Sequence, residues 1–306
     1  MADNNLKTPS NQVVDEREYE RQMRGNKPGS MLYIWKRMRR NKAAMVGLAL
    51  VALLLVLSFI SPYIMKYDYT AFDFTKRYHG PSSEHPLGND ELGRDILSRI
   101  LYGAKYTMII GVASTAVSCI FGIILGAIAG YFGGWLDGLL MRFLDVFQSF
   151  PNILLAITMA TVLGPGFDKI IFAMGISGIP GYARMMRANI LSVRGSEYIE
   201  AAVSINCSTT QVVVRHVIPN AISPLIISVA MGIASAGLQA SSLSFLGFGV
   251  QPPTPEWGSM LATARQYIRD YPHMVIIPGL FIMLTVLSFN LIGDAVRDAL
   301  DPKLRD

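Results

Sequence analysis

The sequence predicts an all-α protein that crosses a membrane about six times. Three observations carry that class. Charged residues are 16% of the chain, well under the ~25% of an average soluble domain. Apolar residues are 51% of the 306, and they gather in long blocks rather than at the i, i+3, i+4 spacing of a soluble amphipathic fold. The first block, 43–64, holds no charge and exceeds the ~18 residues at which a spanning helix is the default reading. A mean hydropathy of +0.37 agrees. A cytosolic enzyme, a nucleic-acid binder and a secreted disulfide scaffold are thereby largely excluded. The net charge of +5 is read by position rather than as a signal for DNA.

Residues 1–30 are polar and nearly free of aliphatic side chains, so a disordered cytoplasmic tail is expected. The first apolar block lies too far in, and is too long, for a cleavable signal peptide. Residues 31–42 mix Tyr33 and Trp35 with Lys36, Arg37, Arg39, Arg40 and Lys42. That is the pattern of an amphipathic helix in the headgroup region, and of a cytoplasmic anchor under the positive-inside rule. Six spans follow on a ~20-residue yardstick, at 43–64, 106–130, 139–163, 169–188, 221–246 and 274–293. The fourth is interrupted by Gly175, Gly178, Pro180 and Gly181. With the N-terminus inside, an even count returns the tail 294–306 to the cytoplasm. It also puts 65–105, 164–168 and 247–273 outside and 131–138 and 189–220 inside. The 65–105 segment carries Lys66, Lys76, Arg77, Arg94, Arg99 and Lys105, more cations than an outside loop usually has. The denser cluster beside the first span decides the orientation. Within that segment Asp90, Glu91, Arg94 and Asp95 open a helix. Its apolar face of Ile96, Leu97, Ile100 and Leu101 suits it to lie on the membrane. Residues 106–293 form the core transmembrane domain.

Small residues are frequent in the spans. Gly122, Gly126 and Gly130 recur at every fourth position, and Gly232, Ala234, Ser235, Ala236 and Gly237 cluster in the fifth span. Such residues let helix backbones approach closely in lipid. Packing within the chain is the plain reading; a subunit interface or translocation path is the sharper one. Arg142, Asp145 and Gln148 share a helical face near the cytoplasmic end of the third span, where a charge is less costly than at midplane. Pairing of Arg142 with Asp145 is the plain account, and an inner gate the sharper. There is no GxxxxGK[ST] phosphate loop and no HExxH. Gly175-Ile176-Ser177-Gly178 matches the GxSG of an intramembrane serine protease, but no later span holds the histidine base it needs. Cys119 and Cys207 lack CxxC spacing and the four histidines are scattered, so no metal site is predicted.

The cytoplasmic loop 189–220 is the informative segment. Ser196 is placed to cap a helix with Glu197 in its first turn. Asn206 stands where that helix should stop, and Asn tolerates positive φ best after Gly. Ser208 and Gln211 have capping-box spacing for a second helix, which Pro219 should end. Such a hairpin is too apolar, through Ala201, Ala202, Val203, Ile205 and Val212–Val214, for a solvated connector, so a docking surface is expected.

Glu200-Ala201-Ala202, the turn at Asn206, and Ile218-Pro219 resemble the EAA loop of the membrane subunits of bacterial ABC importers. His85-Pro86-Leu87-Gly88-Asn89-Asp90-Glu91-Leu92-Gly93-Arg94-Asp95-Ile96-Leu97-Ser98-Arg99 is similar to the signature after the first span in the C-type permease of dipeptide, oligopeptide and nickel importers. Arg215-His216-Val217-Ile218-Pro219-Asn220, Ser244-Phe245-Leu246-Gly247-Phe248-Gly249, Trp257-Gly258 and Asp301-Pro302 match as well. The resemblance covers residues 31–306 and departs at Asn206, where the family has Gly. It implies a type I importer permease fold in a bacterial inner membrane, with no catalytic residue and no cofactor in this chain. It implies as partners a second, B-type permease, two cytosolic ATPases that bind ATP and Mg, and an extracytoplasmic substrate-binding protein. Glu197, Glu200, Ala201, Ala202, Asn206, Ser208, Gln211, Arg215 and Pro219 would then couple to an ATPase. Asp90, Arg94, Asp95 and Trp257 are candidates for receiving the binding protein, and Arg142, Asp145 and Gln148 for an inner gate. Di- and oligopeptides are the implied cargo, with nickel chelates, glutathione or oligosaccharides as alternatives. An ion-coupled carrier would need buried midplane carboxylates and an internal repeat, and neither is visible.

Overall fold

The computed structural model describes residues 31–300; the tail 1–30 and the Asp301-Pro302 motif lie outside the described residues. The described residues begin with α1 (Met31–Met38). Its apolar positions Ile34 and Met38 are buried against Ala44, Ala295, Val296 and Ala299. The helix expected to lie free in the headgroups is therefore clamped between the start of the second helix and the end of the last. Asn41 then caps α2 (Lys42–Ile64), its side chain accepting from the Ala44 N–H at 3.2 Å. One stripe of α2, Ala44, Gly47, Val51, Leu54, Ser58 and Ser61, is buried. Its other faces are apolar and exposed, as a lipid-facing helix requires.

Helix α3 (Ile96–Phe132) runs for 37 residues, about 55 Å at about 1.5 Å per residue. The separate amphipathic helix predicted before residue 106 does not form. Nothing interrupts the helix there, and Ile96 and Ile100 are buried with Val51, Leu54 and Trp257 rather than laid on a membrane. Gly133 and Gly134, both at positive φ, turn the chain into α4 (Gly134–Gln148). The predicted third span is broken. Helix α4 and α5 (Asn152–Leu163) meet at 87° across Ser149–Pro151. Pro151 has no N–H to give and keeps Phe150 out of helical geometry.

Helix α6 (Phe167–Val193) runs unbroken through Gly175, Gly178 and Pro180, and past the predicted end at 188. Those glycines mark a close approach to α3: a Cβ on Gly175 would lie 2.6 Å from Val117 Cγ1. Across the same seam Gly122, Gly126 and Gly130 face Tyr182, Ala183 and Arg187. The small-residue stripe is therefore packing within the chain. After the loop at 194–222 come α8 (Ser223–Phe245), α9 (Trp257–Ala264) and α10 (His273–Leu300), with α7 (Glu197–Ser204) inside that loop. Residues 294–300 continue α10 instead of forming a tail, because Ala295, Val296 and Ala299 pack on α1. Helices α2, α3, α8 and α10 are long and apolar enough to cross a membrane, and the bent α4–α5 pair makes up to five. Among the described residues there is no strand, only one isolated bridge between Asn89 and Asp95.

Candidate functional site

The hairpin after α6 is built from local backbone rules. Ser196 is extended and precedes α7, though its side chain makes no cap bond. Glu197 and Glu200 stand exposed at the positive end of α7. Asn206 closes the helix at φ +61°. Its N–H donates to Val203 O at 2.9 Å and that of Cys207 to Ala202 O at 3.2 Å, the paired bonds of a Schellman turn. Ser208 and Gln211 make the capping box in both directions, at 3.0 and 3.3 Å.

Pro219 does not end the second limb. The limb starts as Thr209–Gln211, widens to a π-helix over Val212–Val217 and returns to α over Ile218–Ala221. The Ile218 N–H reaches back to Val213 O, and this wider turn gives the proline ring room where a tight turn would not. Inward, Ile199, Ala202, Val212 and Val217 pack on Met186, Ile190 and Leu225, which fixes the hairpin to α6 and α8. Outward it presents Glu200, Ala201, Gln211 and Arg215, with Tyr198, Val203, Ile205 and Val214 as exposed apolar groups, Ile205 at 77%. The two alanines of the motif thus point opposite ways, and only Ala201 offers surface. Tyr198 was not singled out from sequence; an aromatic beside two acids was the available signal.

At the far end of α3, Asp90, Arg94, Asp95 and Trp257 are all buried, so none of them offers surface to a partner. Arg94 Nε donates to Asp90 Oδ2 at 2.6 Å and its Nη2 to Glu91 at 2.9 Å. Asp95 caps α3 through the Ser98 N–H at 2.7 Å and holds His85 Nδ1 at 2.9 Å. Lys76 and the Tyr67 hydroxyl hold the Glu84 carboxyl down at about 2. Trp257 Nε1–H donates to Ile100 O at 3.0 Å. Beside it Glu256, fully buried, accepts from the Gly258 and Ser259 N–H groups at 2.9 Å and caps α9. Burial pushes its pKa up. These residues form a frame that locks the loop 65–95 and α9 onto α3.

The residues suspected of forming an inner gate are not brought together. Asp145 pairs with Arg184 Nη2 of α6 at 2.5 Å rather than with Arg142. Arg142 and Gln148 are exposed. A second pair, missed from sequence, is bidentate: Arg187 to Asp137 at 2.5 and 2.6 Å. Partners some 50 residues apart give no local signal.

Residues 122–306 match the family described as binding-protein-dependent transport system inner membrane component, and residues 31–81 the N-terminal transmembrane domain of oligopeptide transport permease C. The dipeptide transport system permease protein DppC of Alkalihalophilus pseudofirmus is 40% identical over 271 residues, 89% of each chain. The glutathione transport system permease protein GsiD of Pectobacterium atrosepticum is 44% identical over 272 residues, 89% of this chain and 90% of its own. The inward-facing MetNI methionine ABC transporter shares the fold, with a TM-score of 0.54 at 17% identity over 66% of this chain and 96% of its own. The chain belongs to the family of binding-protein-dependent transport system inner membrane components, and is a multi-pass permease of the ABC importer type.

Proposed function

We propose that this chain forms half of the translocation pathway of an ATP-driven importer of di- and oligopeptides, and that its hairpin transmits the work of the ATPases. The observation that carries the reading is the mounting of the hairpin. Its inner face is packed on α6 and α8, so a force on Glu200 and Ala201 is passed to two long helices. The chain performs no covalent chemistry, and ATP and Mg are held by two cytosolic ATPase subunits. A second permease completes the path, and a binding protein delivers the cargo from outside. Because Asp90, Arg94, Asp95 and Trp257 are buried, they position that outer face, and their exposed neighbours touch the delivering protein. The contact of α1 with the end of α10 supports an even number of crossings, with α6 as the sixth and both termini cytoplasmic. The likeness to GsiD supports glutathione, itself a short peptide, as the second cargo to test.

In the reconstituted importer, Glu200→Arg or Ala201→Leu lowers peptide uptake per ATP about 10-fold or more while the protein still inserts. Wild-type uptake by both variants would overturn the coupling role. Uptake assays with dipeptide, tri-alanine and glutathione rank the cargo.

A further inference from the structure

A cavity of about 310 Å³ lies between α3, α6 and α8 and reaches the start of α5. Its polar lining includes Thr115, Asn152, Tyr182, Ser235 and Gln239 with several serines, and carries no charge. Within a span each polar group needs a partner. Thr115 Oγ1 donates to Gly111 O at 2.8 Å, the Tyr182 hydroxyl to Ser228 O at 3.3 Å, and Ser235 Oγ to Met231 O at 3.4 Å. The carboxamides of Asn152 and Gln239 have no such partner among the described residues. Gln239 sits half-buried within α8 and Asn152 is exposed, so both amides stand open to a polar group that enters the cavity. The space is maintained by glycine, since a Cβ on Gly232 would collide with the Tyr182 hydroxyl.

We propose that this cavity is a transit subsite for the amide backbone of the transported peptide, with Gln239 and Asn152 making its hydrogen bonds in passing. The inference rests on the peptide-import reading. A peptide unit carries one N–H donor and one C=O acceptor; a carboxamide carries both in return, so it matches the backbone in either direction. Lacking a fixed charge, the subsite neither selects a side chain by its sign nor holds a charged terminus too firmly for release. Its volume is at the lower end of small-molecule sites, about 300–1,000 Å³, enough for a residue or two at a time.

The test uses the complete importer in liposomes, with saturating binding protein loaded with tri-alanine, and counts tri-alanine moved per ATP hydrolysed. Gln239→Met and Asn152→Leu keep the side-chain size and remove the hydrogen bonds. Each is expected to lower the ratio about 10-fold, with Gln239→Asn recovering part of it and Ser242→Ala, outside the cavity lining, at the wild-type ratio. Copurification of the ATPases reports assembly of each variant. A second arm needs no variant: tri-alanine with its central amide replaced by an ester should move at a lower ratio through the wild-type protein. Equal ratios for both cargoes and for assembled variants would overturn the subsite alone. Wild-type protein that takes up no tri-alanine would overturn the peptide reading, and the subsite with it.

Discussion

Glu256 is the most deeply placed carboxyl of the frame around Trp257, and its titration is a stability statement. Its folded pKa lies above the ordinary value because burial disfavours the charged form. A group raised in this way binds its proton more tightly folded than unfolded. Its contribution is complete below the unfolded value near 4.5 and is lost as pH rises through the folded value. Wild-type protein in detergent should therefore lose thermal stability relative to Glu256→Gln as pH rises from 4 to 8, and Glu256→Ala should cost about 2 kcal/mol at pH 4, since two buried N–H groups lose their acceptor, a gap that narrows as pH rises. A pH-independent gap between wild type and Glu256→Gln would contradict the burial argument. At this scale the sequence was legible where the rule is local. Asn206 at φ +61° and the Ser208–Gln211 box follow from residue type and spacing alone. Asp90, Arg94, Asp95 and Trp257 were read as surface because their burial comes from α9 and the loop 65–95 folding back on α3, contacts that no local pattern encodes.

Helices α3 and α6 are held at backbone distance by glycine. A Cβ on Gly126 would strike Ala183 O, with Met186 Cβ at 2.8 Å, whereas nothing lies within 4 Å of the same position on Gly138 of α4. Gly126→Ala should thus cost about 1–3 kcal/mol by overpacking, while Gly138→Ala is neutral or stabilising through helix propensity. Thermal inactivation of the two purified variants makes the comparison; equal midpoints would refute the close-packed seam. The long helices were legible as helices, but several boundaries were not, two of them instructive. The apolar run 139–163 hides its break because both sides are hydrophobic, and Pro151 was the only mark of an 87° bend. At Pro219 the rule that proline stops a helix lost to a π-turn over Val212–Val217, a register that composition cannot reveal.

For the whole molecule, the ion pairs between α4 and α6 tie the bent segment to the helix that also carries the hairpin. Arg187 and Asp137 are bidentate and only partly exposed, at 33% and 17%, so their coupling should exceed the usual surface value of about 1 kcal/mol. Asp137→Arg should impair uptake, and the reversed pair with Arg187→Asp should restore most of it; equal loss in single and double variants would show that the pair couples nothing. The six blocks of the sequence correspond to four clearly apolar helices, one bent pair and the more polar α6, so the class was legible and the count was not. The clamp on α1 has a consequence in time. Ile34 and Met38 find their packing partners in Ala295, Val296 and Ala299, at the opposite end of the chain. At about 5–20 residues per second of synthesis, α1 waits tens of seconds for a seat. Through that interval a basic helix with an apolar face is suited to rest on the membrane surface, a use that the interfacial pattern of residues 31–42 would have in the nascent chain before the finished protein turns that landing strip into a closing seal.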